Sequence, residues 1–164
     1  MHFKGSLFRA LNPPWAVQPL SGEGAKRFGG RFNVKGQAAL YCSLSPVGAL
    51  REANQAGAFQ LVTLAAYEAD LKPIFDACRE DLLTGRKLTR PDLARSEWRE
   101  IMRGGGIAPT QQFALDLIED GYHGMLVPSF APHADQECVS IAQRYLAGSS
   151  RLGTSHAYLS HPTV

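Results

Sequence analysis

Hydrophobic and polar positions alternate along this chain with two periods, so strands and helices can be placed from the pattern. Short apolar runs bounded by Gly, Pro, Asn or Ser predict strands at residues 7–11, 38–43, 59–67, 71–75, 124–128 and 137–142. Apolar residues at helical spacing predict helices at 46–56, 76–83, 91–103 and 110–120. Because strands and helices are mixed without regular βαβ alternation, the sequence predicts an α+β fold.

Two of these helices have further local signals. Ser45-Pro46 is a strong helix start, because serine can cap a helix and proline suits its first position. In the helix at 91–103, the spacing predicts a buried stripe of Ala94, Trp98, Ile101 and Met102. Thr110 is the expected cap of the helix that follows.

The composition is typical of one globular domain. With 164 residues, of which 45% are hydrophobic, the chain can bury a core without disulfides or metal. We expect one domain at 1–147 and a polar, loosely held tail at 148–164. A net charge of +2 is too small to favour a nucleic acid or an acidic membrane.

The N-terminal residues have no leader pattern and no run is long enough to span a membrane, so we expect a cytoplasmic protein. Cys42, Cys78 and Cys138 are far apart and show no CxxC spacing. This favours three buried thiols over a zinc site or a disulfide framework.

Arg31 follows a Gly-Gly pair within a long stretch rich in Gly, Pro and Ser, residues 15–36. A loop of this length in a compact domain is more often functional or disordered than a plain connection. Arginine suits phosphate because its planar guanidinium donates two hydrogen bonds at once, and Gly29 and Gly30 let the backbone approach a diphosphate closely. The alternative is a glycine turn with a solvated Arg31.

Glu52 lies on the helix that starts at Ser45, away from the centre of its apolar face. Its neighbours one turn away, Gly48 and Ala56, are small, so a substrate could reach the carboxylate. Cleavage of an N-glycosidic bond to a pyridinium needs no general acid, because the leaving group departs neutral. One carboxylate can then stabilise the oxocarbenium-like centre. The alternative is an exposed helix glutamate without a catalytic role.

Tyr41 and Ser129 are the other candidates for this chemistry. The Tyr41 ring could stack on a cationic nicotinamide while its hydroxyl bonds ribose or phosphate, or it could be a core tyrosine. Ser129 ends a predicted strand and could reach the same cleft, or it could be an ordinary turn residue.

Several other site classes are disfavoured by spacing. The stretch at 21–25 lacks the GxGxxG of a dinucleotide turn and the Gly-Lys-Ser/Thr of a P-loop. The five histidines show no metal-ligand spacing. His133 and Asp135 lie near Ser129, but nothing indicates a Ser-His-Asp triad.

Taken together, these residues resemble the RES domain, the toxin half of the bacterial RES–Xre toxin–antitoxin systems. The most specific element is the Gly-Gly-Arg-aromatic-Asn run at 29–33, followed by a tyrosine at position 41 and a glutamate at position 52. Here the aromatic is Phe32, where the family more often has tryptophan. The resemblance extends over roughly 7–142, and its other matching positions are Leu7-Phe8-Arg9, Ser21, Gly22, Gly24, Ala25, Gly36, Ser43, Ala49, Trp98, Thr110 and Val127-Pro128-Ser129.

The resemblance implies an ADP-ribosyltransferase-like split antiparallel sheet with helices around an NAD⁺ cleft. It also implies growth arrest through cleavage of the nicotinamide–ribose bond, without a metal, and an Xre-type antitoxin that covers the cleft. The expected catalytic residues are Glu52, Arg31, Tyr41 and Ser129. The expected NAD⁺-binding residues are Arg9, Gly30, Arg31, Asn33, Tyr41 and Ser43.

The sequence leaves the product open, because water, phosphate or a protein side chain could accept the ADP-ribosyl group. Two other classes remain as alternatives. One is an RNA-cleaving toxin that would use a basic stripe of Arg95, Arg99 and Arg103, but it lacks interleaved aromatics and a histidine pair. The other is a binding module without catalytic activity.

Overall fold

The chain is described from a computed structural model that covers residues 1–54, 61–130, 138–142 and 151–159, the last two ranges by their backbone. Within these residues, seven strands form one sheet: β1 (Phe3–Leu11), β2 (Leu40–Ser43), β3 (Thr63–Leu71), β4 (Ile74–Asp76), β5 (Gly124–Pro128), β6 (Cys138–Ala142) and β7 (Arg151–Leu159). Their order across the sheet is β4–β5–β6–β2–β1–β3–β7. Neighbouring strands are antiparallel except β4 and β5, which are parallel. The α+β prediction with a mainly antiparallel sheet is confirmed.

The described helices are short: α1 (Glu23–Phe28), α2 (Pro46–Ala53), α3 (Glu80–Gly85), α4 (Arg90–Ala94), α5 (Trp98–Arg103) and α6 (Pro109–Glu119). The predicted start of α2 is confirmed. Gly48 N donates to Ser45 Oγ at 3.0 Å, and Pro46 occupies the first helical turn.

The single helix predicted at 91–103 is wrong, because α4 and α5 are separate helices. A capping box between Thr89 and Asp92 starts α4, and the chain leaves helical geometry at Arg95, whose ψ is 137°. The Arg31 guanidinium binds the carbonyl oxygens of Leu93 and Arg95, which supplies these carbonyls with a donor from outside the helix.

The buried stripe predicted for that helix is also wrong. Leu93 is fully buried, whereas Ala94 and Ile101 are exposed and Trp98 and Met102 are half-buried. Because the helix is broken, the side chains do not keep the regular spacing on which the stripe was based.

The structure differs from the predictions in several further elements. Residues 15–36 contain α1 rather than only irregular chain, and α6 has its N-cap at Ala108 instead of Thr110. Strand β7 lies in the segment expected to be a loose tail, where its backbone pairs with β3. Cys78 is disulfide-bonded, so the prediction of three free thiols is wrong, although Cys42 is a buried free thiol.

Some predictions fall outside the described residues. These are the end of the helix expected to reach 56, the first residues of the strand expected at 59–67, the first residue of the strand expected at 137–142, the pair His133 and Asp135, and much of the tail.

Two apolar clusters cover opposite faces of the sheet, one at its β4–β5 end and the other extending across β2, β1 and β3. Along β5, Met125 and Val127 belong to one cluster and Leu126 to the other, as strand alternation requires. The first cluster includes Phe75 and Phe113, whose rings meet edge to face with centroids 5.5 Å apart. It fixes α6 against the sheet, and the side chains at the start of α6 reach the turn that carries Arg31.

Candidate functional site

Four of the eight predicted site residues line a cavity between β1, β2 and α2, which we call the α2 cavity. Its volume is about 320 Å³, at the lower end of the range for small-molecule pockets. It contains four residues predicted from sequence, namely Arg9, Tyr41, Ser43 and Glu52. The remaining lining comes from Phe8, Ala10, Cys42, Ala49 and Ala53.

Glu52 and Ser129, 77 residues apart in sequence, are in direct contact. Ser129 Oγ donates a hydrogen bond to Glu52 Oε1 at 2.5 Å. Glu52 is on the last turn of α2 and lines the α2 cavity. Ser129 directly follows β5, and both side chains are half-buried. The contact fixes one carboxylate oxygen, which is the arrangement expected of a carboxylate that must be oriented toward a reacting atom.

Arg31 lies on a tight turn that is closed by backbone hydrogen bonds between Gly30 and Asn33. Its Nη1 donates to Leu93 O at 2.9 Å and to Arg95 O at 2.6 Å, and its Cζ lies 4.5 Å from the centroid of the Phe130 ring. Among the described residues, its Nε and Nη2 have no hydrogen-bond acceptor. Those two nitrogens are therefore the part of the guanidinium that can bind a ligand.

The electrostatic surroundings of Arg31 connect it to the α2 cavity. Burial lowers the pKa of Arg31, and the positive charge of Arg99 lowers it further. The Glu52 carboxylate and the Tyr41 hydroxyl act in the opposite direction. Arg31 is thus close enough to Glu52 for the two charges to interact.

The Tyr41 hydroxyl points into the Arg31 turn. It donates to Asn33 Oδ1 at 2.6 Å and accepts from Phe32 N at 3.3 Å. Burial raises the pKa of this hydroxyl, although the Phe32 hydrogen bond and the Arg31 charge partly oppose the shift. Because the hydroxyl is engaged inside the protein, the ring is the part of Tyr41 that can face a ligand.

Gly30 and Asn33, both predicted to bind a ligand, lie in the interior of the turn. Asn33 is 1% exposed, and its Nδ2 donates to the carbonyl oxygens of Ala25, Val34 and Gln37. A Cβ on Gly30 would lie 2.5 Å from Tyr41 Oη, closer than real Cβ contacts. In this structure both residues shape the Arg31 turn from within.

Arg9 and Ser43 reach the α2 cavity in different ways. Ser43 is 3% exposed and pairs with Phe8 across β1 and β2. Arg9 lines the cavity, and its Nη1 donates to Pro19 O at 3.2 Å and Ser21 O at 3.1 Å. Arg9 therefore also holds the loop that precedes α1.

Two residues of α6 position Arg31, a role that the sequence did not indicate for either of them. Gln111 is fully buried, and its Nε2 donates to Gly30 O at 2.9 Å and Asn33 O at 3.2 Å. Thr110 Oγ1 donates to Arg31 O at 2.6 Å. A glutamine three residues into a helix is an ordinary capping signal, and here its Oε1 does accept from Ala108 N. Nothing local indicates its contact with a turn about 80 residues earlier.

Two findings bear on other kinds of site. Across the described ranges, no group of three or more His, Cys, Asp and Glu side chains could hold a metal ion. In the same part of the chain, none of the helices has the length and apolar character needed to cross a membrane.

Comparison with known proteins identifies the family, and a solved toxin–antitoxin complex is among the similar structures. The model of the RES domain matches residues 6–149. The crystal structure of the M. tuberculosis MbcT–MbcA toxin–antitoxin complex contains a similar chain, with a TM-score of 0.73 and 19% sequence identity. The match covers 99% of this chain and 87% of that chain, and at this identity it establishes the fold. No curated protein matches the sequence.

Proposed function

Because the chain belongs to the RES domain family, we propose that it is the toxin of a toxin–antitoxin pair and cleaves the nicotinamide–ribose bond of NAD⁺. The observation that carries this proposal is the Ser129–Glu52 hydrogen bond at a cavity that also contains Tyr41. Arg31 lies within electrostatic range of the same carboxylate.

Glu52 has the central role in the proposed reaction. As the bond breaks, nicotinamide leaves as a neutral base and positive charge develops on the ribose. Glu52 stabilises that charge, which is present in the transition state and much weaker in the substrate. Ser129 holds Oε1 of Glu52 in position, and so acts as a positioning residue for it.

The other side chains bind and orient the dinucleotide. The Tyr41 ring packs against the nicotinamide or its ribose, since its hydroxyl is already bonded to Asn33. Arg31 binds the diphosphate through the nitrogens that have no acceptor in the described part of the chain. Ser43 borders the same cavity.

The acceptor of the ADP-ribosyl group determines the product. Water gives ADP-ribose and depletion of NAD⁺, inorganic phosphate gives a phosphorolysis product, and a protein side chain gives a modified target. Each route begins with the same bond cleavage at Glu52, so loss of nicotinamide is the readout shared by all three.

We also infer a protein antitoxin of the Xre type that covers the α2 cavity. Two observations support it: the similar solved structure is a toxin–antitoxin complex, and apolar side chains are exposed beside the cavity. Val47, on the helix that carries Glu52, is 53% exposed, and Leu44 is 37% exposed.

The test is to incubate purified protein with NAD⁺ labelled on the adenylate, with and without bacterial lysate. We expect wild type to release nicotinamide and Glu52→Gln to release none while still binding NAD⁺. Glu119→Gln, which changes an exposed glutamate on α6, is the matched control and should keep full activity. Label on a lysate protein would identify a transferase. Intact NAD⁺ with folded, antitoxin-free wild type would contradict the proposal.

A further inference from the structure

Two guanidinium groups lie against the same indole ring, that of Trp98 at the start of α5. Arg99 Cζ is 4.5 Å from the centroid of the Trp98 ring, and Arg31 Cζ is 6.0 Å from it. Arg31 also lies over Phe130. Stacking on aromatic faces places both guanidiniums in fixed directions, so two cations are held near each other by residues of α5 and by the residue after Ser129.

The charge of this pair is only partly offset by the described residues, because the Glu52 carboxylate acts on Arg31 without forming an ion pair with it. Several other arginines form ion pairs, for example Arg86 with Asp120 at 2.6 Å and Arg95 with Asp92 at 3.4 Å. In the part of the chain that the structure describes, neither Arg31 nor Arg99 has an ion pair with a carboxylate. Like charges held this way repel each other, and an anion bound between them would remove the repulsion.

Hydrogen-bond donors at this place also lack acceptors within the described part of the chain. Arg31 uses one nitrogen for two carbonyl oxygens, which leaves Nε and Nη2. Trp98 Nε1 is buried and has no acceptor among the described residues. Unsatisfied buried donors are uncommon, and they point to an acceptor that comes from outside the chain.

We propose that Arg99 is the second guanidinium of an anion subsite, in which Arg31 and Arg99 together bind the diphosphate of the dinucleotide. This inference rests on the proposed function, because it assigns a further binding residue to the same substrate. A diphosphate carries acceptor oxygens on two adjacent phosphorus atoms. Two planar guanidinium groups can bind these oxygens better than one can.

The test measures binding by the full chain without requiring NAD⁺ cleavage. The sequence has two tryptophans, Trp15 and Trp98, so Trp15→Phe leaves Trp98 as the fluorescent reporter. We expect inorganic pyrophosphate, titrated at constant ionic strength, to produce a saturable change in Trp98 fluorescence. In this background Arg99→Gln should weaken pyrophosphate binding about tenfold, as expected for loss of a charge-assisted hydrogen bond.

Arg103→Gln is the matched control, since it removes an equal charge one turn further along α5. It should leave the affinity for pyrophosphate nearly unchanged, and Arg99→Lys, which keeps the charge but not the planar fork, should have an intermediate affinity. Arg99 is exposed, so these variants should unfold at the parent temperature.

Equal weakening by Arg99→Gln and Arg103→Gln would overturn the proposal, because it would show a general effect of net charge. Absence of pyrophosphate binding by the parent would overturn it as well. If pyrophosphate binds through Arg99 while NAD⁺ remains intact, the subsite stands and the proposed cleavage fails. If NAD⁺ is cleaved and Arg99→Gln binds pyrophosphate normally, the cleavage stands and the subsite fails.

Discussion

Replacing Tyr41 by phenylalanine separates two roles of this residue. The substitution keeps the ring at the α2 cavity and removes the hydroxyl that bonds Asn33 Oδ1 at 2.6 Å and Phe32 N at 3.3 Å. Since the hydroxyl points into the Arg31 turn, its loss should affect stability more than chemistry. A hydroxyl that bonds the substrate would give the opposite result.

The expected loss of stability follows from the burial of Asn33. Asn33 is 1% exposed, so its Oδ1 cannot gain a hydrogen bond from bulk water when the Tyr41 hydroxyl is removed. An unsatisfied buried acceptor costs about 1–3 kcal/mol, and the long bond from Phe32 adds little, so we expect about 2 kcal/mol. For a chain of this length, that lowers Tm by about 4–8 °C.

The assay pairs thermal unfolding with nicotinamide release at 25 °C, where the variant remains folded. Tyr67→Phe is the matched control, because Tyr67 is also buried and its hydroxyl donates to Pro19 O at 2.7 Å. Both variants should lose Tm, and Tyr41→Phe should keep a kcat close to wild type. An unchanged Tm together with a large fall in kcat would refute the reasoning and assign the hydroxyl to the substrate.

Three further predictions test the same site. Gly30→Ala should destabilise the protein by about 1–3 kcal/mol, because its Cβ would overlap Tyr41 Oη. Gly24→Ala, whose Cβ meets nothing within 4 Å, should be neutral or stabilising in the same unfolding assay. Ser129→Ala should lower kcat by about ten- to a hundredfold with little change in KM, because it removes the hydrogen bond to Glu52 Oε1. An equal rise in KM would contradict its positioning role. Burial raises the pKa of the Cys42 thiol to about 12. In the native state the thiol therefore stays protonated at neutral pH, and the thiolate fraction rises only as the pH approaches that value. Alkylation followed by mass spectrometry at pH 8 should therefore be about a thousandfold slower than for an ordinary thiol, and a fast reaction would show the thiol to be accessible.

Local signals predicted the elements that carry the site better than they predicted its contacts. Ser45 and Pro46 place the start of α2 correctly, because capping depends on residues within one turn. The division into α4 and α5 could not be predicted in this way. It accompanies the binding of Leu93 O and Arg95 O by Arg31, more than 60 residues earlier in the chain.

The candidate site shows the same limit. Taken separately, Glu52 and Ser129 each had an ordinary alternative, and the family resemblance assigned both to one catalytic site. Their hydrogen bond joins α2 to the end of β5, and no periodic pattern carries information over that distance. Gln111 was missed for this reason, since its contacts with Gly30 and Asn33 are also long-range.

These separations determine when activity can arise as the chain is synthesised. Arg31, Tyr41 and Glu52 are synthesised early. Gln111, which holds the Arg31 turn, and Ser129, which holds Glu52, are synthesised much later. At a translation rate of about 5–20 residues per second, the 77 residues from Glu52 to Ser129 require about 4–15 s. During that interval a nascent chain contains the proposed catalytic carboxylate without the serine that orients it. The long-range contacts therefore delay the assembly of the site until most of the domain has been translated.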